Sequence, residues 1–244
     1  MWPATTAQAL GYAAGGALLV AVTKQGSVRG AAAGMAVATI LILGLGPATL
    51  APLAVFVLGS GALTKWGGAR KRALSVAEQN EGKRGVRHVA AKLAIPALVA
   101  VAAGVTGHRA PFALAAAAAL GGAFADTAGT EVGPLGRGSA YGWRGGRIAR
   151  LGHGTPGAVS LAGLLASAAA SAAVAATALA CGFLPGGTSA ALVASAGFAA
   201  AMLESLIAAT AFGRRLGHFG RNVFVSASAT AFGFAIELSG MGRP

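Results

Sequence analysis

The chain has 244 residues, 55% of them hydrophobic and 10% charged, with a mean hydropathy of +0.69. A water-soluble domain carries about 25% charged residues, so this composition argues against a soluble globule. The net charge of +13 would suit a nucleic-acid binder in a soluble protein. Here the basic residues fall in short connectors between apolar blocks and form no aromatic-interleaved stripe, which argues against nucleic acid as a partner.

Apolar blocks of nearly the length needed to cross a hydrocarbon core predict eight spans, at about 7–23, 30–45, 48–63, 89–106, 111–130, 157–181, 187–211 and 222–239. The first basic residue is Lys24. The basic n-region of a cleavable signal is therefore missing, and the first segment is expected to be a retained span. Many spans are Ala-rich and insert weakly alone. Pairs such as Gly11 and Gly15, and the run Gly121, Gly122, Ala123, let neighbouring backbones approach and supply the missing stability by packing. The lone Cys181 is expected to be a small filler.

The connectors orient the bundle. Of the 19 basic residues, all but Arg109 and Arg243 fall on one side of an eight-span arrangement. Under the positive-inside rule that side is cytoplasmic. The fold class expected is therefore all-α: a polytopic transmembrane helical bundle of about eight spans forming a single integral membrane domain over 1–244, with both termini non-cytoplasmic. Two cytoplasmic connectors, near 64–88 and 133–156, are long. The first has helix-forming character from Arg70 to Glu81. The second, GPLGRGSAYGWRGGRIARLGHGTPG with the start of span six, reads as an irregular re-entrant or surface loop.

Four of the six acidic residues, Asp126, Glu131, Glu204 and Glu237, fall within or at the ends of spans, where an ionisable group is costly and a functional candidate. Asp126 and Glu131, in AFADTAGTEVG beside Thr127 and Thr130, offer hard oxygen ligands of the kind that suit Mg²⁺. Five residues separate them, about 140° on an uninterrupted helix, so a break at Gly129 is needed to bring both to one site. Alternatively they neutralise arginines between helices. Glu204 is either a site residue or the partner of an arginine in the bundle, and Glu81 with Arg84 reads as a surface ion pair. HGTPGAVS, from His153 to Ser160, is expected to open span six with Pro156 in the first turn. Gly154, Thr155, Gly157 and the Ser160 hydroxyl would then cradle a phosphate at the positive end of that helix. No Walker run, catalytic triad or His-based metal motif is present. Basic residues, carboxylates and a Gly-rich segment on one membrane face point to a phosphorylated ligand with a divalent metal.

LGSGALTKWGGARKR (58–72), EGKRGVRHVAAKLA (81–94), AFADTAGTEVG (123–133), HGTPGAVSLAG (153–163) and ESLIAATAFG (204–213) resemble, in this order, domain-of-unknown-function family 92, which includes the plastid phytyl-phosphate kinase. The resemblance covers roughly residues 8–239. It implies a multi-pass kinase that converts an isoprenyl monophosphate, of phytyl or geranylgeranyl type, to the diphosphate with a nucleoside triphosphate, CTP included; the expected location is a prokaryotic cell membrane. Carried over by position, Asp126 and Glu131 would hold Mg²⁺ and Glu204 would join them as a catalytic residue. Lys65, Arg72, Glu81, Arg84, Gly154, Thr155, Gly157 and Ser160 would serve the phosphates. Glu204 stands where the family commonly has Asp, Lys92 where Asn is expected, and Ala128 where an aromatic follows Asp-Thr. The competing function is a transporter or flippase for a phosphorylated lipid or small anion, since intramembrane carboxylates and broken helices also mark transport paths.

Overall fold

The computed structural model describes residues 5–23, 26–74 and 85–240. Its helices are α1 (Thr6–Val22), α2 (Val28–Leu45), α3 (Leu50–Lys65), a short α4 (Gly68–Ala73), α5 (Val86–Thr106), α6 (Arg109–Val132), α7 (Leu161–Ala180), α8 (Gly187–Ala208) and α9 (Ala211–Leu238). Among the described residues six segments are long and apolar enough to cross a membrane: Val28–Leu45, Pro47–Lys65, Val86–Thr106, Arg109–Leu135, Leu161–Ala180 and Gly187–Ala208. The 17-residue α1 is shorter. Between them, α1 and the part of α9 beyond its kink occupy the first and last of the eight expected segments. That kink lies at Gly217, whose φ of 62° is outside the helical region.

The centre of the bundle is α6, packed against α3, α5, α7, α8 and α9. Ala115 to Ala119 and Leu120 are fully buried there. Small side chains make this burial possible: a Cβ on Gly197 would lie 2.8 Å from the Gly122 nitrogen, so α8 and α6 touch through bare backbone. Serine hydroxyls add cross-helix bonds, from Ser167 to the Ala125 carbonyl at 2.8 Å and from Ser226 to the Lys92 carbonyl at 3.0 Å.

The connector between α6 and α7 is not an irregular loop. Strands β1 (Ala140–Arg144), β2 (Arg147–Leu151) and β3 (Val159–Ser160) form a three-stranded antiparallel sheet in the order β2-β1-β3. Gly145 and Gly146, at φ of 59° and 79°, make the two-residue hairpin turn that needs positive φ at both positions. Span six starts later than expected, at Leu161, with Ser160 as its N-cap. Pro156 thus lies in the preceding turn and not in the first turn of the helix. The glycine at 129 does not interrupt α6, which is continuous to Val132.

A polar pocket and an apolar groove joined at Lys92

A polar pocket of about 170 Å³ opens where the C-terminal ends of α6 and α8 meet the start of α9. The segment from His153 to Ser160 forms one wall, and Asp126, Glu204, His218, Arg221 and Asn222 face it from the helices. The structure therefore brings together six residues expected from the sequence: Asp126, Gly154, Thr155, Gly157, Ser160 and Glu204.

The glycine-rich wall is held by its backbone. Gly154 and Gly157 have φ of 83° and 81°, and a Cβ on Gly157 would lie 2.7 Å from the Ser205 carbonyl oxygen. Only glycine combines that φ with so close an approach to α8. The Thr155 N–H donates to the Gly152 carbonyl at 3.1 Å and the Ala158 N–H to the Thr155 carbonyl at 2.9 Å. The Ser160 hydroxyl is committed to structure: it donates to the Gly133 carbonyl at 3.0 Å and accepts from the Gly163 N–H at 3.2 Å. The segment thus reaches the pocket as a turn ahead of α7, not as the phosphate-cradling helix start expected.

The carboxylates separate into two environments. The Asp126 carboxylate accepts from the Lys92 ammonium at 2.8 Å, and that ammonium also donates to the Thr127 hydroxyl at 3.0 Å. Glu204 lies 3.4 Å from the Arg221 guanidinium, the arginine partnership that the sequence left open. Glu131 points elsewhere. It is 5% exposed and accepts from the Lys71 ammonium at 2.5 Å and from the Thr64 hydroxyl at 2.7 Å. The Lys71 ammonium also donates to the Leu63 carbonyl at 2.6 Å, so it closes the end of α3. An unbroken α6 turns Asp126 and Glu131 to different sides, so the two carboxylates expected to share one metal are not brought together here.

Other expected phosphate ligands lie apart from the pocket. The Lys65 ammonium donates to the Thr23 carbonyl at 2.6 Å, and Arg72 is exposed on α4. Glu81 and Arg84 lie outside the described residues. In their place the fold supplies His218, Arg221 and Asn222 from the polar run GRRLGHFGRN at 213–222. The Asn222 amide nitrogen donates to the His218 carbonyl at 2.9 Å and faces His218 Nε2 at 3.1 Å. The Asn222 Oδ1 and the Arg221 Nε are both buried without a hydrogen-bond partner.

Those two orphaned atoms and two carboxylates bear on whether Mg²⁺ fits. Mg²⁺ takes hard oxygen ligands and is commonly held by one or two carboxylates together with substrate phosphates and waters. Asp126, Glu204 and the unpartnered Asn222 Oδ1 form such a donor set. Among the described residues no group of three or more His, Cys, Asp or Glu side chains gathers at one point, so a closed, all-protein metal cage is not what the pocket offers.

A second cavity, of about 140 Å³, lies between α1, α2, α3 and α5 and is almost wholly apolar, with Tyr12, Leu53, Phe56 and Val89 among its walls. Lys92 lines this groove while its ammonium holds Asp126, a wall of the polar pocket.

No curated protein and no solved structure matches this chain. The sequence does match, over residues 12–223, the family described as integral membrane protein DUF92; the chain is a member of that family.

Proposed function

We propose that the chain is a membrane-embedded phosphotransferase that converts an isoprenyl monophosphate, of phytyl or geranylgeranyl type, to the diphosphate with a nucleoside triphosphate and Mg²⁺. The observation that carries this reading is the position of Lys92, which lines the apolar groove while its ammonium is bonded to Asp126, a wall of the polar pocket. An amphiphile with an apolar chain and a phosphate head has that shape and polarity. Its chain lies in the groove and its phosphate beside Lys92, at the membrane face that carries the basic connectors.

In the transfer, an ionised oxygen of the lipid phosphate attacks the terminal phosphorus of the nucleotide. The bond to the bridging oxygen breaks, and the nucleoside diphosphate leaves with that electron pair. The attacking oxygen is already ionised at neutral pH, so no general base is required, and the protein's task is positioning and charge stabilisation. Lys92 orients the acceptor phosphate. Arg221, whose Nε pairs with Glu204 at 3.4 Å without a hydrogen bond, turns to the transferred group. Asp126, Glu204 and Asn222 Oδ1 would hold Mg²⁺, which would offset charge on the nucleotide phosphates. The 153–157 turn excludes water from one side of the pocket.

The test is to give the purified, folded protein geranylgeranyl or phytyl monophosphate with labelled nucleoside triphosphates, CTP included, and to look for the isoprenyl diphosphate. Formation of the diphosphate supports the assignment. Its absence with every donor and chain length overturns it in favour of transport of a phosphorylated lipid or anion.

A further inference from the structure

We propose that the outer face of the β1–β2 hairpin docks on the anionic headgroup layer of the bilayer that the helices occupy. This surface is separate from the phosphotransferase reading and stands whether or not that reading holds.

The register fixes the two faces of the hairpin. Tyr141 pairs with Arg150 and Trp143 with Ile148, while Ala140 pairs with Leu151 and Gly142 with Ala149. Opposed residues of antiparallel strands share a face, so the first two pairs make one face and the last two the other. The inner face is packed: Ala140 is buried, and a side chain at Gly142 would run into the Gly157 carbonyl of the pocket wall. The outer face is open, with Tyr141, Trp143 and Ile148 exposed by 52%, 50% and 72%.

A strand pair with one face in water ordinarily turns polar residues outward. Here the outward set is two amphipathic aromatics, an isoleucine and an arginine. Trp and Tyr concentrate where water meets lipid, and arginine is drawn to anionic headgroups. Charge complementarity points the same way. The connector from 133 to 160 has four arginines and no acidic residue, and Arg144 and Arg147 flank the hairpin tip. The chain leaves α6 and re-enters α7, two apolar helices long enough to span, so the hairpin is tethered at both ends beside the bilayer. Its attachment to the 152–157 turn, reinforced by the 3.0 Å contact of His153 Nε2 with the Gly138 carbonyl, makes headgroup contact a means of setting the pocket wall.

Trp143 reports on this surface. The full chain with Trp2→Phe and Trp66→Phe is reconstituted in phosphatidylcholine vesicles, with and without phosphatidylglycerol, carrying brominated lipid as a quencher of Trp143 emission. The expected result is blue-shifted emission and quenching about two-fold stronger with phosphatidylglycerol present, falling back in high salt or with Arg144→Gln and Arg147→Gln. Emission at the position of a water-exposed indole with no quenching overturns the proposal, as does quenching that is the same in both vesicle types.

Discussion

The Lys92 ammonium stands 2.8 Å from the Asp126 carboxylate and ties α5 to α6, linking a wall of the apolar groove to a wall of the polar pocket. The side chains are 4% and 17% exposed, so water cannot easily replace either partner. Removing one charge leaves the other uncompensated, at a cost of about 3 kcal/mol or more, whereas removing both together costs far less. Lys92→Met and Asp126→Asn are each expected to lower stability in detergent by about that amount. The double variant should lie well above the sum of the two. Strictly additive losses in the double-mutant cycle would mean that the two groups do not act as a pair.

The division of the acids predicts which of them answers to metal. Glu204 faces the pocket beside the unpartnered Asn222 Oδ1, while both Glu131 oxygens are occupied by Lys71 and Thr64. Glu204→Gln should remove Mg²⁺-dependent binding of a phosphorylated ligand from protein that stays folded. Glu131→Gln should lower the unfolding midpoint and leave the Mg²⁺ dependence of the folded fraction as it was. Titration of ligand binding against Mg²⁺ for the two variants checks this, and a reversed pattern would restore Glu131 as the metal ligand.

The helices were legible because their apolar blocks are long and their ends are marked by charge. The expected segment at 187–211, for example, is α8 at 187–208. The hairpin was not. Its alternation of Tyr141, Trp143 and Ile148 around Gly145 and Gly146 is a strand-turn-strand signal, but the many glycines and arginines around it read as loop. In the pocket, Asp126 and Glu204 stood out as costly acids, and Gly154 to Ser160 as a Gly-rich motif. The role of Glu131 could not be read from spacing, because its partner Lys71 lies 60 residues away in sequence. Arg221 and Asn222 were missed for another reason. Their polar run opens an apolar helix, where it resembles an ordinary basic connector until Glu204 is seen opposite.

The wall of the pocket predicts a local effect at Gly157. Its φ of 81° and the 2.7 Å approach to the Ser205 carbonyl leave no room for a methyl group. Gly157→Ala must shift the 153–158 turn away from α8, at a strain of about 1–3 kcal/mol confined to that turn. Hydrogen exchange should quicken in residues 152–160, with the amides of α6 unchanged and ligand affinity reduced about ten-fold. Unchanged exchange in the turn would show that the contact with α8 is not what holds it.

The last prediction is topological. Contacts at one end of the bundle join connectors far apart in sequence: the Lys65 ammonium reaches the Thr23 carbonyl at 2.6 Å, Arg70 reaches the Gly136 carbonyl at 3.4 Å, and Arg221 reaches Glu204 at 3.4 Å. The connectors after α1, α3 and α6 therefore meet at one end, and the polar pocket joins the last of them to the α8–α9 junction, as the positive-inside rule expects of a common cytoplasmic side. If α1 and the distal part of α9 both cross, the spans number eight and the two termini lie together on the opposite side. The part of α9 beyond Arg221, which carries Glu237 near its end, is short for a span and would cross only with local thinning of the bilayer and snorkelling of its flanking residues. Single cysteines introduced into a Cys181→Ala background at positions within 64–74 and 133–156 should react with membrane-impermeant reagent only from the cytoplasmic side. Cysteines at the two chain ends should react only from the other side. Labelling of the two ends from opposite sides would remove one crossing, leaving either α1 or distal α9 lying along the interface.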